Sequence, residues 1–161
     1  MSEILDISPA GASKRQKWDV LLPQIKALLE AEPDPIARMA NVASVIEMTF
    51  GHLWVGFYRV VGDELVLGPF QGPLACTRIR RGRGVCGTAW AEGRTLVVED
   101  VEAFPGHIAC SGESRSEIVV PVFGEDGEVK AVIDIDSRQL AAFDRVDADA
   151  LEQVARWISA S

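Results

Sequence analysis

The chain has 161 residues, enough for one domain with its own core and too few for two comfortable ones. Sixteen Lys and Arg against 24 Asp and Glu give a formal net charge of −8. That balance excludes nucleic acid or an anionic membrane as the expected partner, because both need clustered positive charge. The one basic cluster, Arg78-Ile79-Arg80-Arg81-Gly82-Arg83, is short and reads as a solvated loop. No apolar run approaches the roughly 20 residues of a membrane helix. Met1-Ser2-Glu3-Ile4-Leu5-Asp6 carries acids where a secretion signal has a basic region. The expected compartment is the cytoplasm. There, three cysteines argue against a structural disulfide framework. Redox chemistry, metal binding and plain burial stay open.

Residues 1–13 include Pro9-Ala10-Gly11 and read as a loose arm; residues 14–161 read as one domain. Trp18, Leu21, Leu22, Ile25, Leu28 and Leu29 mark one face of a helix over 14–32. Pro23 falls inside it and is expected to kink or restart the helix. Asp34 can cap a second helix, Pro35 suits its first position, and Gly51 ends it. Strand signals follow over 53–61 and 65–68, joined at Gly62-Asp63-Glu64. Residues 74–79, with Cys76, read as a third strand. A glycine-rich loop at 82–87 opens a short helix to about Glu92, and 95–98 is a fourth strand. Residues 118–123 and 129–135 form a hairpin across Gly124-Glu125-Asp126-Gly127. The last helix starts near Asp144, with Asp147 three residues on as a capping-box analogue. Helices at both ends around hairpin-linked strands predict an α+β fold, a central antiparallel sheet with the N- and C-terminal helices packed on it.

The stretch from Phe104 to Glu117 is polar, rich in small residues, and feeds an apolar strand. It carries Cys110 between His107 and Arg115. A loop held by a rigid strand is a usual seat of chemistry, so Cys110 is the candidate reactive thiol, against the alternative of an inert buried one. His107 or Arg115, if close, would favour its thiolate. Gly82-Arg83-Gly84-Val85-Cys86-Gly87 matches a dinucleotide fingerprint by letter, but its helix is too short for a parallel βαβ unit. Those glycines read as a tight turn with close backbone approach. Cys76, Cys86, Cys110 and His107 could in principle hold zinc, yet only His107 and Cys110 stand at the close spacing such sites use, so no metal is expected. Asp134 and Asp136 share a strand face, about 7 Å apart. With Glu117 they could form an acidic cluster needing a cation, and the ammonium of an amino acid would serve; a solvated strand end is the alternative. Trp54 is either a core aromatic or a wall for a small group such as an S-methyl.

The residues also carry a family resemblance. Gly68-Pro69-Phe70-Gln71-Gly72, Ala75-Cys76, the 82–87 motif with Thr88-Ala89, Glu99-Asp100-Val101, Gly106-His107-Ile108-Ala109-Cys110, Ser116-Glu117-Ile118-Val119-Val120-Pro121 and Asp134-Ile135-Asp136-Ser137 resemble the free methionine-(R)-sulfoxide reductases, which are built on a single GAF domain. The resemblance runs from about Lys14 to Ile158 and includes all three family cysteines. It implies a GAF-like fold, Cys110 as nucleophile, Cys76 as the main resolving thiol and Cys86 as a further relay. It implies Trp54 beside the substrate methyl and Glu117, Asp134 and Asp136 as the acidic residues of the site. It also implies free methionine sulfoxide as substrate, thioredoxin as external reductant, no cofactor, and a homodimer. Under this reading Glu117 is the candidate proton donor, and oxidised protein is expected to carry a Cys76–Cys110 disulfide. The alternative is a non-catalytic GAF module that senses a small molecule or a redox change.

Overall fold

The structure, a computed structural model, describes residues 11–107, 110 and 112–159; the expected loose arm lies largely outside them. Helices α1 (Lys14–Ala31) and α2 (Pro35–Phe50) precede strands β1 (Trp54–Val61), β2 (Glu64–Gln71) and β3 (Arg78–Arg80). Helix α3 (Gly84–Glu92) and strand β4 (Leu96–Val98) follow, then β5 (Ser116–Phe123), β6 (Val129–Ser137) and helix α4 (Arg145–Ser159). The strands form one antiparallel sheet in the order β3-β2-β1-β6-β5-β4. No helix of the described residues is long and apolar enough to cross a membrane.

Local chemistry explains the helix ends. Ser13 and Gln16 make a reciprocal capping box at α1. The Asp34 carboxylate accepts from the amides of Ile36 and Ala37, Pro35 opens α2, and Gly51 closes it at φ 68°. Helix α1 runs unbroken through Pro23 and does not restart there. Its buried face, Trp18, Leu21, Ile25 and Leu29, straddles the proline, so packing on both sides holds the helix together. The Arg38 guanidinium donates to the carbonyls of Leu29 and Glu32 and so closes the end of α1.

Alternation along the central strands separates two cores. Val55, Phe57, Ile118, Val120, Ala131, Ile133 and Ile135 face α1, α2 and α4. Trp54, Tyr58, Val119 and Val132 face the other way, toward α3 and the long connections. The two terminal helices are tied together by Asp147, which accepts from Lys14 Nζ at 2.7 Å and Trp18 Nε1 at 3.0 Å. Residues 74–79 do not form the expected strand: β3 is only Arg78–Arg80, and Cys76 lies in the loop before it. That short strand pairs only with Glu64, Leu65 and Val66. One further bond, from the Leu67 amide to the Thr77 carbonyl at 3.0 Å, carries the contact a step beyond the strand. Every strand pair among the described residues is antiparallel, which removes the dinucleotide reading of the 82–87 motif. A side chain at Gly87 would run into the Arg80 carbonyl, so the motif serves close backbone approach.

Candidate active site

The face toward α3 holds a small pocket, about 60 Å³, beneath an open mouth. Its walls come from four places in the chain. Trp54 and Tyr58 project from β1, Glu117 from β5, Asp134 and Asp136 from β6, and Arg83, Gly84, Val85 and Cys86 from the start of α3. The loops carrying Pro73-Leu74-Ala75 and His107, Cys110 and Ser114 form the rim.

At the rim Cys76 and Cys110 are joined by a disulfide, with Cα atoms 5.6 Å apart and 34 residues between them in sequence. Cys110 is exposed and Cys76 half-buried. Both flanking loops are tethered. The Tyr58 hydroxyl donates to the Cys76 carbonyl at 2.8 Å, and Trp54 Nε1 donates to the Pro73 carbonyl at 3.2 Å. Beyond Cys110, the Arg115 amide donates to Ser137 at 2.7 Å and its carbonyl accepts from Val101. The bridge thus joins two loops and has one of its cysteines at the surface. His107 lines the pocket, and burial lowers its pKa, so it is a neutral imidazole there at neutral pH. Arg115 is exposed.

The floor is acidic. Glu117 pairs across strands with Asp136, while Asp134 sits opposite Val119 and Gly56. Glu117 and Asp134 are buried, at 6% and 5% exposure, and Asp136 is half-buried. The Ser114 hydroxyl donates to Asp136 at 3.2 Å. None of the ion pairs among the described residues includes any of the three acids. One oxygen of Asp134, Oδ1, has no hydrogen-bond partner. Burial pushes the Glu117 carboxyl well above its usual range, and the charges of Asp134 and Asp136 push it further. Burial raises Asp134 and Asp136 as well. Three carboxyls this close do not ionise independently, and the shared site favours protonation. Cys86 lies beneath them, fully buried, its thiol 3.9 Å from Glu117 Oε2. Burial, then the charges of Asp134 and Glu117, keep that thiol protonated.

The Trp54 ring edge crowds Gly56, where a Cβ would collide with it and with Phe70, and the indole stacks with Phe70 at 5.2 Å and with Tyr58 at 5.8 Å. All of Trp54, Cys76, Cys86, Cys110, Glu117, Asp134 and Asp136, singled out from sequence, therefore gather at one pocket or its rim. Tyr58 and Ser114 were not singled out. Tyr58 is four residues from Trp54 on one strand face, and that alternation is the signal that would have found it. Nothing in the sequence marks Ser114.

Comparison with known proteins fits this architecture. The GAF domain model matches residues 37–160. The solved structure of free methionine-R-sulfoxide reductase from Neisseria meningitidis, in complex with its substrate, is 50% identical; the match covers 98% of this chain and 95% of that one, with a TM-score of 0.93. The chain belongs to the free methionine-R-sulfoxide reductases. Within that family the Saccharomyces cerevisiae enzyme is 41% identical over 94% of this chain and 89% of its own. GAF domain-containing protein A of Dictyostelium discoideum is 52% identical over 98% of this chain and 99% of its own. The α+β fold, with its six-stranded antiparallel sheet, is that of the GAF domain.

Proposed function

We propose that the chain reduces free L-methionine (R)-sulfoxide to methionine, with Cys110 as nucleophile and Cys76 as resolving thiol. The observation that carries this reading is a loop-to-loop Cys76–Cys110 disulfide standing over a buried acidic floor with an unpartnered Asp134 oxygen. The substrate's ammonium supplies the cation that the floor lacks. Its S-methyl packs on the Trp54 indole. No side chain caps the start of α3, and its first residues line the pocket, so the positive end of that helix faces the substrate carboxylate.

In the reduced enzyme the Cys110 thiolate attacks the sulfoxide sulfur, Glu117, kept protonated by its surroundings, protonates the oxygen, and that oxygen passes to the Cys110 sulfur as the bond between the two sulfurs breaks. Methionine departs and Cys110 is left as a sulfenic acid. The Cys76 thiol attacks that sulfur, water leaves, and the disulfide forms; the sulfoxide is reduced by two electrons as two thiols are oxidised by two. Cys86, sunk beneath the carboxyls, is held as a reserve relay. Thioredoxin as reductant and a homodimer as functional unit follow from the family resemblance. Peptide-bound methionine sulfoxide has no free ammonium and is excluded by the acidic floor.

A sensor reading is separated by turnover. NADPH oxidation coupled through thioredoxin reductase and thioredoxin should require free methionine sulfoxide and vanish in Cys110→Ser. Cys76→Ser should still release about one methionine per site, since sulfenic acid formation needs only Cys110, while its thioredoxin-coupled turnover falls sharply. Full single-turnover yield from Cys110→Ser would overturn the assignment.

A further inference from the structure

We infer that the pocket floor is also a binding site for one divalent cation of the zinc class, held by Cys86 Sγ, a Glu117 oxygen and an Asp134 oxygen. This set differs from the sequence's zinc candidates. Cys76 and Cys110 are consumed by their disulfide, and His107 stands at the rim. The three atoms proposed here are buried and lie within 4.8 Å of one another. Cys86 Sγ and Glu117 Oε2 are 3.9 Å apart. Zinc bonds of about 2.0–2.3 Å at tetrahedral angles place neighbouring ligands roughly 3.3–3.8 Å apart, so small side-chain shifts close the site.

A second observation points to a ligand at this spot. Asp134 is 5% exposed, lines the pocket, and leaves Oδ1 without a partner. An unpaired buried carboxylate oxygen is costly, and a cation relieves that cost. The donor set decides which cation. Calcium and magnesium take oxygen shells, whereas one sulfur with two carboxylates suits zinc and its neighbours. The open mouth supplies water as the fourth ligand, and Asp136 stands beside it. On binding, Cys86 loses its thiol proton and Glu117 its carboxyl proton to solvent as the bonds to the metal form, and no electrons move. The ion occupies the place the substrate ammonium takes in the reductase reading. That shared occupancy rests on the reductase reading; the binding itself rests only on the floor's geometry.

The test uses oxidised protein, in which Cys86 is the free thiol among the described residues. Zinc chloride alone, titrated calorimetrically at neutral pH, should bind at one equivalent per chain. Cobalt in its place should show a thiolate charge-transfer band. Calcium should not bind. Cys86→Ser should abolish the cobalt band and weaken zinc at least ~10-fold; Asp134→Asn and Glu117→Gln should weaken zinc without touching the thiol, with circular dichroism checking the fold. Zinc bound unchanged by Cys86→Ser, calcium bound as well as zinc, or no zinc binding at micromolar concentration would each overturn the proposal. An excess of methionine sulfoxide should displace the ion; both bound together would refute shared occupancy. Failure of zinc to bind leaves turnover with thioredoxin untouched, so the two readings fail separately.

Discussion

Two buried aspartates on opposite faces of one sheet show how structure and site differ in this molecule. Asp147, 2% exposed, accepts from Lys14, from Trp18 and from the Asp144 amide. Its neighbours satisfy it and lock α1 to α4. Asp134, 5% exposed, stands with two further carboxyls and a thiol, and one of its oxygens has no partner. Its surroundings raise its pKa through burial and provide no cation. A buried carboxylate completed by its own chain is part of the scaffold. One left incomplete is a place kept for something else.

The sharpest way to break the comparison is to remove each in turn. Asp147→Ala leaves the buried Trp18 indole N–H without its acceptor and takes from Lys14 the nearer of its two carboxylates, leaving it Asp144 and the Ala142 carbonyl. The expected loss is about 3 kcal/mol, or roughly 6–12 °C in Tm for a chain of this size. Asp134→Asn should lose little stability. It should instead raise KM for free methionine sulfoxide by about 10–100-fold, the worth of a charge-assisted hydrogen bond of roughly 1.5–3 kcal/mol. Thermal melts and kinetics on the same pair of variants check both halves. Equal Tm losses for the two would end the distinction.

A smaller effect tests the electrostatics of the floor. Glu117, Asp134 and Asp136 all have pKa values raised by burial. A carboxyl whose folded pKa is raised binds its proton more tightly when folded than when unfolded. Its contribution is fully present below the unfolded-state pKa and is lost as pH rises through the folded one. Stability of the substrate-free protein should therefore fall from mildly acidic to mildly alkaline pH. Glu117→Gln removes one of the three titrations. Its Tm should gain on wild type as pH rises from 5 to 8, because the wild-type protein alone loses the Glu117 proton over that range. His52, whose pKa burial between Phe50 and Phe143 lowers to about 4, titrates alike in both proteins and cancels. A constant Tm difference across that range would show that Glu117 is not held protonated by its neighbours.

The scaffold face was legible in sequence because its signals are local. Asp34, Pro35 and Gly51 bound α2 by capping chemistry alone, and Asp144 with Asp147 opens α4 as expected. The 124–127 turn fixed a hairpin whose strands run a little longer than their apolar cores, to Ser116 and Ser137. The site face was less legible because its geometry is tertiary. Ala75, Cys76 and Thr77 read as strand, but the segment is held by side-chain bonds from Trp54 and Tyr58 and one backbone bond from Leu67, all distant in sequence. The meeting of Cys76 with Cys110 came from family resemblance, and no spacing rule yields it. Nor could periodicity place Cys86 under the carboxyls, since that depends on how α3 crosses the sheet. Pro23 was misread as a possible restart because propensity ignores the packing that carries α1 through it.

The smallest expected effect concerns Tyr58, which touches both regions: its ring stacks on Trp54 and its hydroxyl holds the Cys76 carbonyl at 2.8 Å. The bond fixes the loop from which Cys76 must reach Cys110, so it bears on the second chemical step and not the first. Tyr58→Phe keeps the ring and removes only the donor. A neutral hydrogen bond is worth about 1 kcal/mol, which corresponds to roughly fivefold in rate if it is lost wholly from the condensing geometry. Formation of the first equivalent of methionine should keep its wild-type rate. Disulfide closure should slow by that factor, with sulfenic acid accumulating between the two steps. Rapid mixing with methionine sulfoxide, an acid quench, and mass analysis of trapped sulfenic acid and residual thiols would resolve them. If both steps slow together, Tyr58 acts on the substrate and not on the loop. If neither changes, the Cys76 segment is held by its backbone alone, and the tether between the strand face and the resolving thiol has no kinetic role.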